Sequence, residues 1–426
     1  MKSSLLFLGN IAAVFAKSPF AGINIAGFDF GSDIQGAQNI SNSFGPVATL
    51  GNGNSDGAAQ IQHFVQTGGL NTFRLPVTWQ FLINSRNLNG SATAVTGTPS
   101  NGTLDRTKTA QYNQLVRACL NTGSFCIIDI HNYARFEGQV IGQGGPTNAQ
   151  FALLWSQIAS LYRNETKVMF GLMNEPHDLP SLSMWADTVQ AAVTAIRMAG
   201  ATTQTILLPG TEFTHASSFV DNGSAGNLSR VSNPDGSFTN LVFEVHQYLD
   251  SDGSGQAREC VTDHVKDGFM PLAQFLAANK RMALLGEIGG GNTPSCLTNL
   301  CNSLVFINNN PDTFMGYTAW SAGGFSAIDY NLTMTPKGSP GNFTDQETVT
   351  QCVVGTRNGK SNSNSTGVAA VKGANSSPVY ATPQGSSSGE SGDNTFSVTV
   401  SASTKLGAGG AVGTLMAMVA LTVLAV

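Results

Sequence analysis

Eight short apolar segments, with helix-like segments between most of them, predict that this chain folds as a (β/α)8 barrel of the α/β class. The segments are 22–28, 71–77, 125–131, 167–173, 205–209, 241–248, 281–287 and 314–320. Helical patterns at 109–123 and 185–200 precede the third and fifth segments, and each ends on a glycine, which is typical of a helix C-terminus. Strands that alternate with helices pair in parallel, and eight such units close into a barrel. The alternative is an open doubly wound sheet, but the Gly-x-Gly-x-x-Gly turn that would support it does not follow the first segment.

Taken in chain order, most of the predicted strands carry a polar or aromatic side chain near the C-terminal end. These residues are Arg74 in the second strand, His131 in the third, Asn174 and Glu175 after the fourth, His246 and Tyr248 in the sixth, Glu287 in the seventh and Trp320 in the eighth. The C-terminal strand ends of such a barrel form its active-site face. We therefore expect these side chains to meet in one pocket.

The composition excludes one class of partner. The 426 residues include 21 Lys and Arg against 26 Asp and Glu, which gives a net charge of −5. This balance gives no indication of a basic patch, so nucleic acid is not expected as a partner. Charged residues make up only 11% of the chain, and a surface built mainly from uncharged polar residues is common among secreted proteins.

The N-terminal residues 1–16 resemble a secretory signal peptide. They contain a lysine, an apolar stretch, and Val14 and Ala16 at the positions that a signal peptidase reads, so we expect cleavage after Ala16. Ten Asn-x-Ser/Thr sequons fit the same route and predict a glycoprotein. The expected location is therefore extracellular.

The C-terminal part of the chain predicts a linker and a lipid-anchor signal. Residues 356–404 are rich in Ser, Asn, Gly and Thr and poor in large apolar residues, so we expect a disordered linker after a folded domain at 17–355. The hydrophobic tail at 405–426 ends in an apolar run shorter than the roughly 20 residues of a membrane-spanning helix. Small residues at 401–403 followed by this tail are typical of glycosylphosphatidylinositol (GPI) attachment. A simple membrane tail is the alternative.

The cysteine count predicts disulfides. The six cysteines are Cys119, Cys126, Cys260, Cys296, Cys301 and Cys352. An even number in an oxidising compartment favours three disulfides, and fifteen pairings are possible. A structural zinc site is not expected, because the chain has no Cys-x-x-Cys pair.

Two glutamates indicate the chemistry. Glu175 and Glu287 each follow an apolar strand, and two carboxylates that face one pocket are what glycosidic cleavage requires. One protonates the leaving oxygen, and the other attacks carbon or activates water. A single glutamate at such a place is more often a solvated strand end or the partner of a buried cation. Two of them at barrel strand ends favour a catalytic pair.

Neighbouring residues suggest how these glutamates are held. His246 and Tyr248 lie two residues apart, so their side chains share a face with Glu244, and we interpret them as partners of a catalytic glutamate. A structural His-Tyr pair packed in the barrel is the alternative. A buried Arg74 needs a carboxylate close by, and it would keep Glu287 ionised.

Metal-dependent hydrolysis is an alternative interpretation of the polar residues at this end of the predicted barrel. Its ligands would be His131, Asp129, His246 and Glu175. The His-x-His and His-Glu-x-x-His patterns are absent, and the aromatic and amide residues would be unexplained, so no metal is expected.

The chain resembles glycoside hydrolase family 5, in particular the fungal-type endo-β-1,4-glucanases. The matching segments are FRLPVTW at 73–79, DIHNYARF at 129–136, GLMNEPH at 171–177, HQYLDSDGSG at 246–255, LLGEIGGG at 284–291 and GYTAWSAGG at 316–324. They span about 250 residues and cover every catalytic position that the family uses.

This resemblance assigns roles that the residues alone do not distinguish. It implies that Glu175 is the acid/base and Glu287 the nucleophile of a retaining reaction. It also implies supporting roles: Asn174 contacts the sugar 2-hydroxyl, Arg74 and Tyr248 position Glu287, His131 and His246 line the site, and Trp320 is the sugar platform. The implied disulfides are Cys119–Cys126, Cys260–Cys296 and Cys301–Cys352, and a cis peptide bond is implied between Trp320 and Ser321.

The sequence thus predicts a retaining endo-β-1,4-glucanase that needs no cofactor or metal. Its expected partner is a β-glucan polysaccharide, and we expect a monomer that contacts a membrane only through the C-terminal anchor. A β-mannanase or β-1,3-glucanase is the alternative within the enzyme class, because the same two glutamates serve all three. A non-catalytic wall-binding protein is the alternative outside it, although a binding protein has no use for a proton-donating acid.

Overall fold

A computed structural model of the chain describes residues 17–43, 56–83 and 102–358. The predicted signal peptide (1–16), the tail (405–426) and nearly all of the linker (356–404) lie outside the described residues, as do the sequons at Asn89, Asn101, Asn364 and Asn375. Within the described ranges, no helix combines the length and apolarity needed to cross a bilayer.

Eight parallel strands close into a barrel, which confirms the predicted fold class and excludes the open sheet. The strands, β1 to β8, are Phe20–Ala26, Thr72–Val77, Phe125–Ile130, Val168–Gly171, Ile206–Pro209, Leu241–His246, Ala283–Glu287 and Phe314–Gly323. Each strand pairs with its neighbour in the chain, and β1 pairs with β8 to close the ring. The barrel is tight where β1 meets β2, because a Cβ on Gly22 would lie 1.5 Å from the carbonyl oxygen of Thr72.

Helices between the strands form the outer layer. In the described residues, α1 to α8 are Gly57–Gly68, Trp79–Ile83, Arg106–Asn121, Asn148–Tyr162, Leu182–Met198, Ser224–Leu228, Met270–Asn279 and Pro294–Asn309. After β8 the chain forms a short π-helical turn, Val349–Val354. The predicted helix ends are confirmed, since Gly123 and Gly200 adopt left-handed backbone just beyond α3 and α5.

Polar residues begin the longer helices. The side chains of Asp105, Thr147, Ser181 and Thr293 each accept a hydrogen bond from a backbone N–H in the first turn of α3, α4, α5 and α8, respectively. Each cap of this kind contributes about 1 kcal/mol, because it satisfies an N–H that has no partner within the helix.

Alternation along the strands places apolar side chains low in the barrel and charged ones above them. Ile127, Met169, Leu207, Val242 and Leu284 form one buried cluster. Residues two apart on a strand face the same side. Asp129 therefore lies above Ile127 on β3, and Glu244 and His246 lie above Val242 on β6, so the upper barrel is polar.

The six cysteines form the three disulfides that the resemblance implied. These are Cys119–Cys126, Cys260–Cys296 and Cys301–Cys352. The third joins α8 to the π-helical turn after β8 and so ties the last described segment to the barrel's outer layer.

The ends of α1 and α7 allow a reciprocal test of backbone strain. The residue after each helix has left-handed backbone: Gly69 with φ 63° after α1, and the exposed Lys280 with φ 53° after α7. We expect Lys280→Gly to raise the free energy of unfolding by about 1 kcal/mol, because glycine adopts this conformation without a Cβ penalty. Gly69→Ala should lower it by a similar amount, since a Cβ there meets nothing within 4 Å and the cost is conformational. Equal unfolding midpoints for both variants and the parent protein would contradict this account.

Candidate active site

The predicted site residues converge at the C-terminal end of the barrel, with two corrections to their places in the strands. Arg74 does not lie at the end of a strand, as the sequence suggested, but is the third residue of β2, which continues to Val77. Trp320 is likewise inside β8, which continues to Gly323. The pairing of β2 with β3 continues through Pro76 and Val77, so the apolar strand extends past Arg74. Arg74 is therefore fully buried inside the barrel.

Arg74 is surrounded by three buried carboxylates. Its Nη2 lies 2.9 Å from Asp129 Oδ1, its Nε 3.0 Å from Glu244 Oε1 and its Nη1 2.7 Å from Glu287 Oε1. Burial alone would lower the pKa of Arg74, but these carboxylates outweigh it and raise the pKa above the ordinary value. In this group three acidic side chains face a single guanidinium. Additional positive charge in the upper barrel is therefore favoured.

Two histidines supply that charge. Burial opposes protonation of His246, but Glu287, Glu175 and Glu244 raise its pKa to about 10. Burial also opposes protonation of His131, yet its Nδ1 lies 2.9 Å from Asp129 Oδ2, and the net effect raises the pKa of His131. Both imidazoles therefore favour the charged form beside these carboxyl groups.

The two candidate catalytic glutamates face each other. Glu287 is the last residue of β7, and Glu175 lies four residues beyond β4 in a left-handed backbone conformation, φ 43°. One oxygen of each carboxylate and one ring nitrogen of His246 all lie within 4.8 Å of one another. Retaining glycosidases place their two carboxyl groups about 5–5.5 Å apart, and inverting enzymes place them farther apart to admit water. The geometry fits a retaining pair.

The pKa values of Glu175, His246 and Glu287 depend on one another. Burial raises the pKa of Glu175, but the hydrogen bond from His246 Nδ1, at 2.8 Å from Oε1, and the histidine charge bring it below the usual value. Burial raises the pKa of Glu287, and neighbouring Glu175 adds to this effect, although His246 and Arg74 oppose it. In the free site the proton nearest Glu175 is therefore held by His246.

Glu287 is also held by a neutral donor. The hydroxyl of Tyr248 donates to Glu287 Oε2 over 2.6 Å, although β6 ends at His246 and Tyr248 lies beyond it. A hydrogen bond to a carboxylate favours its ionised form. Arg74 and Tyr248 thus engage different oxygens of Glu287 and fix its orientation.

Replacing Tyr248 with phenylalanine should change the pH dependence. Loss of the hydroxyl removes a donor from the Glu287 carboxylate, so the pKa of Glu287 rises further. As the pH falls, a reaction that needs ionised Glu287 then begins to lose activity at a higher pH than it does in the parent protein. The acidic limb of the kcat/KM profile therefore moves to higher pH. Profiles of the parent and Tyr248→Phe proteins on one soluble substrate measure this. An acidic limb that stays at the same pH, or that moves to lower pH, would refute the role of the hydroxyl.

Asn174, His131 and Trp320 complete the site. Asn174 Oδ1 accepts a hydrogen bond from Arg74 Nη2 at 2.8 Å, while its buried Nδ2 has no partner among the described residues. Trp320 stacks on His131 with ring centroids 5.6 Å apart, and its Nε1 donates to the Tyr330 hydroxyl over 2.8 Å. The peptide bond between Trp320 and Ser321 is cis, as the resemblance implied. An unpaired amide donor is therefore available beside the glutamates, and the Trp320 indole that lies on the same face is largely buried.

Sequence reasoning missed several residues at this face. Asn24 Oδ1 accepts from Arg74 Nη1 at 3.1 Å, and a polar residue within the apolar run of β1 was a usable signal. Tyr133 is next to His131 and has left-handed backbone, φ 54°. Phe213 and His215 lie in the segment after β5, where no sequence pattern marks them.

The structure does not assemble the rival metal site. Asp129 is engaged by Arg74 on one oxygen and by His131 on the other. Within the described residues, the group of three side chains close enough to hold an ion is instead Glu175, His246 and Glu287. An ion there would compete with Arg74, with the Tyr248 hydroxyl and with the proton on His246 Nδ1 for the same carboxylate oxygens. These donors make the carboxylates better suited to acid–base and nucleophilic roles.

Comparison with known proteins is consistent with this geometry. The model of the family described as Cellulase (glycosyl hydrolase family 5) matches residues 29–323. The chain is 50% identical over 336 residues to Endoglucanase EG-II of Hypocrea jecorina, covering 78% of this chain and 77% of that protein. It is 43% identical over 320 residues to Manganese dependent endoglucanase Eg5A of Phanerodontia chrysosporium, covering 74% and 75%. The crystal structure of Cel5A (EG2) from Hypocrea jecorina superposes with a TM-score of 0.74 at 48% identity, covering 79% of this chain and 99% of that one.

Proposed function

This chain belongs to glycosyl hydrolase family 5, and on that premise we propose that it hydrolyses internal β-1,4-glucosidic bonds of a β-glucan with retention of configuration. The observation that carries the proposal is the pair of carboxylates, Glu175 and Glu287, within 4.8 Å of each other at the mouth of the barrel. Relatives named endoglucanase, at up to 50% identity over most of the chain, support the choice of substrate.

The first step forms a glycosyl-enzyme. An ionised oxygen of Glu287 attacks the anomeric carbon of the sugar, and the bond from that carbon to the glycosidic oxygen breaks. Glu175 gives its proton to the departing oxygen, so the shorter chain leaves as an alcohol. Arg74 and Tyr248 hold Glu287 in the attacking orientation.

The second step releases the sugar. Glu175, now ionised, takes a proton from water, whose oxygen attacks the anomeric carbon and displaces Glu287. The anomeric carbon is inverted twice, so the configuration is retained. Because neither step needs an external redox or metal partner, we propose that no cofactor takes part.

His246 explains how Glu175 becomes an acid although its pKa is low in the free site. The proton on His246 Nδ1 lies on the 2.8 Å hydrogen bond to Glu175 Oε1. Bound sugar excludes water from Glu175, which disfavours the carboxylate and favours transfer of this proton along the bond. Glu175 then carries the proton, and neutral His246 remains beside it.

A panel of soluble polymers tests the substrate assignment. Carboxymethyl cellulose and mixed-linkage glucan should be cleaved with a rapid fall in viscosity, which indicates internal cleavage. Activity confined to mannan or laminarin would replace the proposal with a β-mannanase or β-1,3-glucanase. Binding without hydrolysis would favour a non-catalytic wall-binding protein. Hydrolysis that persists in EDTA is expected, and its loss on chelation would revive the metal mechanism.

We also propose that the enzyme is secreted and held at the cell surface by a GPI anchor, and that it acts as a monomer. Three disulfides suit the oxidising secretory route, and the anchor rests on residues 401–426 of the sequence. Expression of a chain truncated after residue 400 should move the enzyme from the cell surface to the medium. Equal distribution of both forms would contradict anchoring by the tail.

A further inference from the structure

The segment after β5 lies directly beside the glutamate proposed as the acid. The backbone N–H of Phe213 donates to the carbonyl oxygen of Pro176, the residue after Glu175, over 3.0 Å. His215 forms a parallel β-bridge with His246, and the next N–H, that of Ala216, donates to the His246 carbonyl oxygen over 2.8 Å. These contacts place His215 at the mouth of the barrel, on the Glu175 side.

The imidazole of His215 is positioned by packing rather than by hydrogen bonds. A Cβ built on Gly253 would lie 3.3 Å from Cε1 of His215, so the Gly253 backbone stands against the ring. The centroid of the Phe213 ring lies 6.1 Å from that of the His215 ring. Asp250 accepts hydrogen bonds from Gly255 and from the two residues that follow it, which shapes the loop that carries Gly253.

Both ring nitrogens of His215 remain available. The residue is half-buried, and within the described part of the chain its imidazole makes no hydrogen bond. Burial is the largest influence on the pKa of His215 and lowers it below the ordinary value, although Glu175 opposes this, so the neutral ring is favoured. A neutral imidazole offers one donor and one acceptor, which suits vicinal sugar hydroxyls.

The positions of Glu175 and Glu287 determine which sugar unit of the substrate lies beside the His215 imidazole. Glu287 attacks the sugar that stays, whereas Glu175 protonates the oxygen of the chain that leaves. A group beside Glu175 and away from Glu287 therefore faces the leaving chain. Phe213, half-buried and stacked on His177 with centroids 4.5 Å apart, presents an apolar surface on the same side.

We propose that His215 hydrogen-bonds a hydroxyl of the glucosyl unit on the leaving-group side of the scissile bond and so selects for a sugar there. This assignment rests on the proposed function, because the side of the cleft is defined by the roles of Glu175 and Glu287. It adds a specificity residue that neither step of the reaction uses.

The test compares two substrates that differ in their leaving group. Cellotetraose loses a sugar, whereas dinitrophenyl cellobioside loses a phenolate that offers no sugar hydroxyls. His215→Ala should lower kcat/KM on cellotetraose roughly tenfold, the worth of one hydrogen bond, and leave the aryl substrate unchanged. His215→Gln, which keeps a donor and an acceptor, should recover part of the loss. His63→Ala, on the outer helix α1, is the matched control and should change neither value.

The pH profile separates sugar contact from an effect through Glu175. A positioning role for His215 would displace the alkaline limb of kcat/KM on cellotetraose, whereas a sugar contact lowers the profile without moving it. An equal loss on both substrates, a displaced limb, or no loss on cellotetraose would each overturn the assignment. If the parent protein hydrolyses neither substrate, the proposed function fails and the assignment of His215 fails with it.

Discussion

Replacing Glu287 with glutamine is expected to lower kcat by roughly 10⁴-fold or more while the barrel stays folded. Glutamine keeps the shape of the side chain and can still accept from Arg74, but an amide oxygen cannot form the glycosyl-enzyme. The loss should therefore be similar on oligosaccharides and on aryl glycosides, because both need the nucleophile in the first step. Initial rates on both substrates, with thermal unfolding as the check on folding, measure this.

Glu347→Gln is the matched control for that variant. Glu347 is exposed and lies outside the site, so the same chemical change there should leave kcat unaltered. Residual activity of a few per cent in Glu287→Gln would refute Glu287 as the nucleophile. A large drop in the unfolding midpoint would instead show that its charge is needed to balance Arg74.

Replacing Glu175 with alanine should separate the two steps of the reaction. Hydrolysis of oligosaccharides is expected to fall by about 10²–10⁴-fold, because a sugar alkoxide cannot leave without a proton. A dinitrophenolate leaves without one, so the aryl cellobioside should still form the glycosyl-enzyme and release a burst of phenolate. Turnover then stops at the second step, which needs Glu175 as the base. Rapid mixing with detection of the phenolate measures the burst.

Azide provides the complementary check on Glu175→Ala. A small anion needs no general base, so azide should restore turnover of the aryl substrate and give a glycosyl azide of retained configuration. Glu287→Gln should give no such product, because it forms no glycosyl-enzyme. Equal losses of Glu175→Ala on both substrates, with no burst and no rescue, would contradict the assignment of Glu175 as acid and base.

Much of the architecture was predictable because it depends on local order. Apolar runs such as 241–248, spaced by helical patterns, determine a strand and its inward face, and eight such units with parallel pairing leave the barrel as the solution. The ends of the strands were less well defined. Arg74 was placed too near the end of β2, because a buried arginine within an apolar run resembles a polar strand terminus until its partners are known.

The sequence by itself determined the barrel, and it determined that Glu175 and Glu287 would face its mouth, since both follow from the period of a strand and the side on which strands end. Only the tertiary structure decided which charged groups surround these two glutamates. Arg74 meets Glu244 and Glu287 across 170 and 213 positions of the chain, and His246 reaches Glu175 across 71. Coulomb and hydrogen-bond energies depend on separations of about 3 Å in space, which no local pattern encodes. For the same reason the place of His215 beside the acid became visible only when β5 and β6 were brought together.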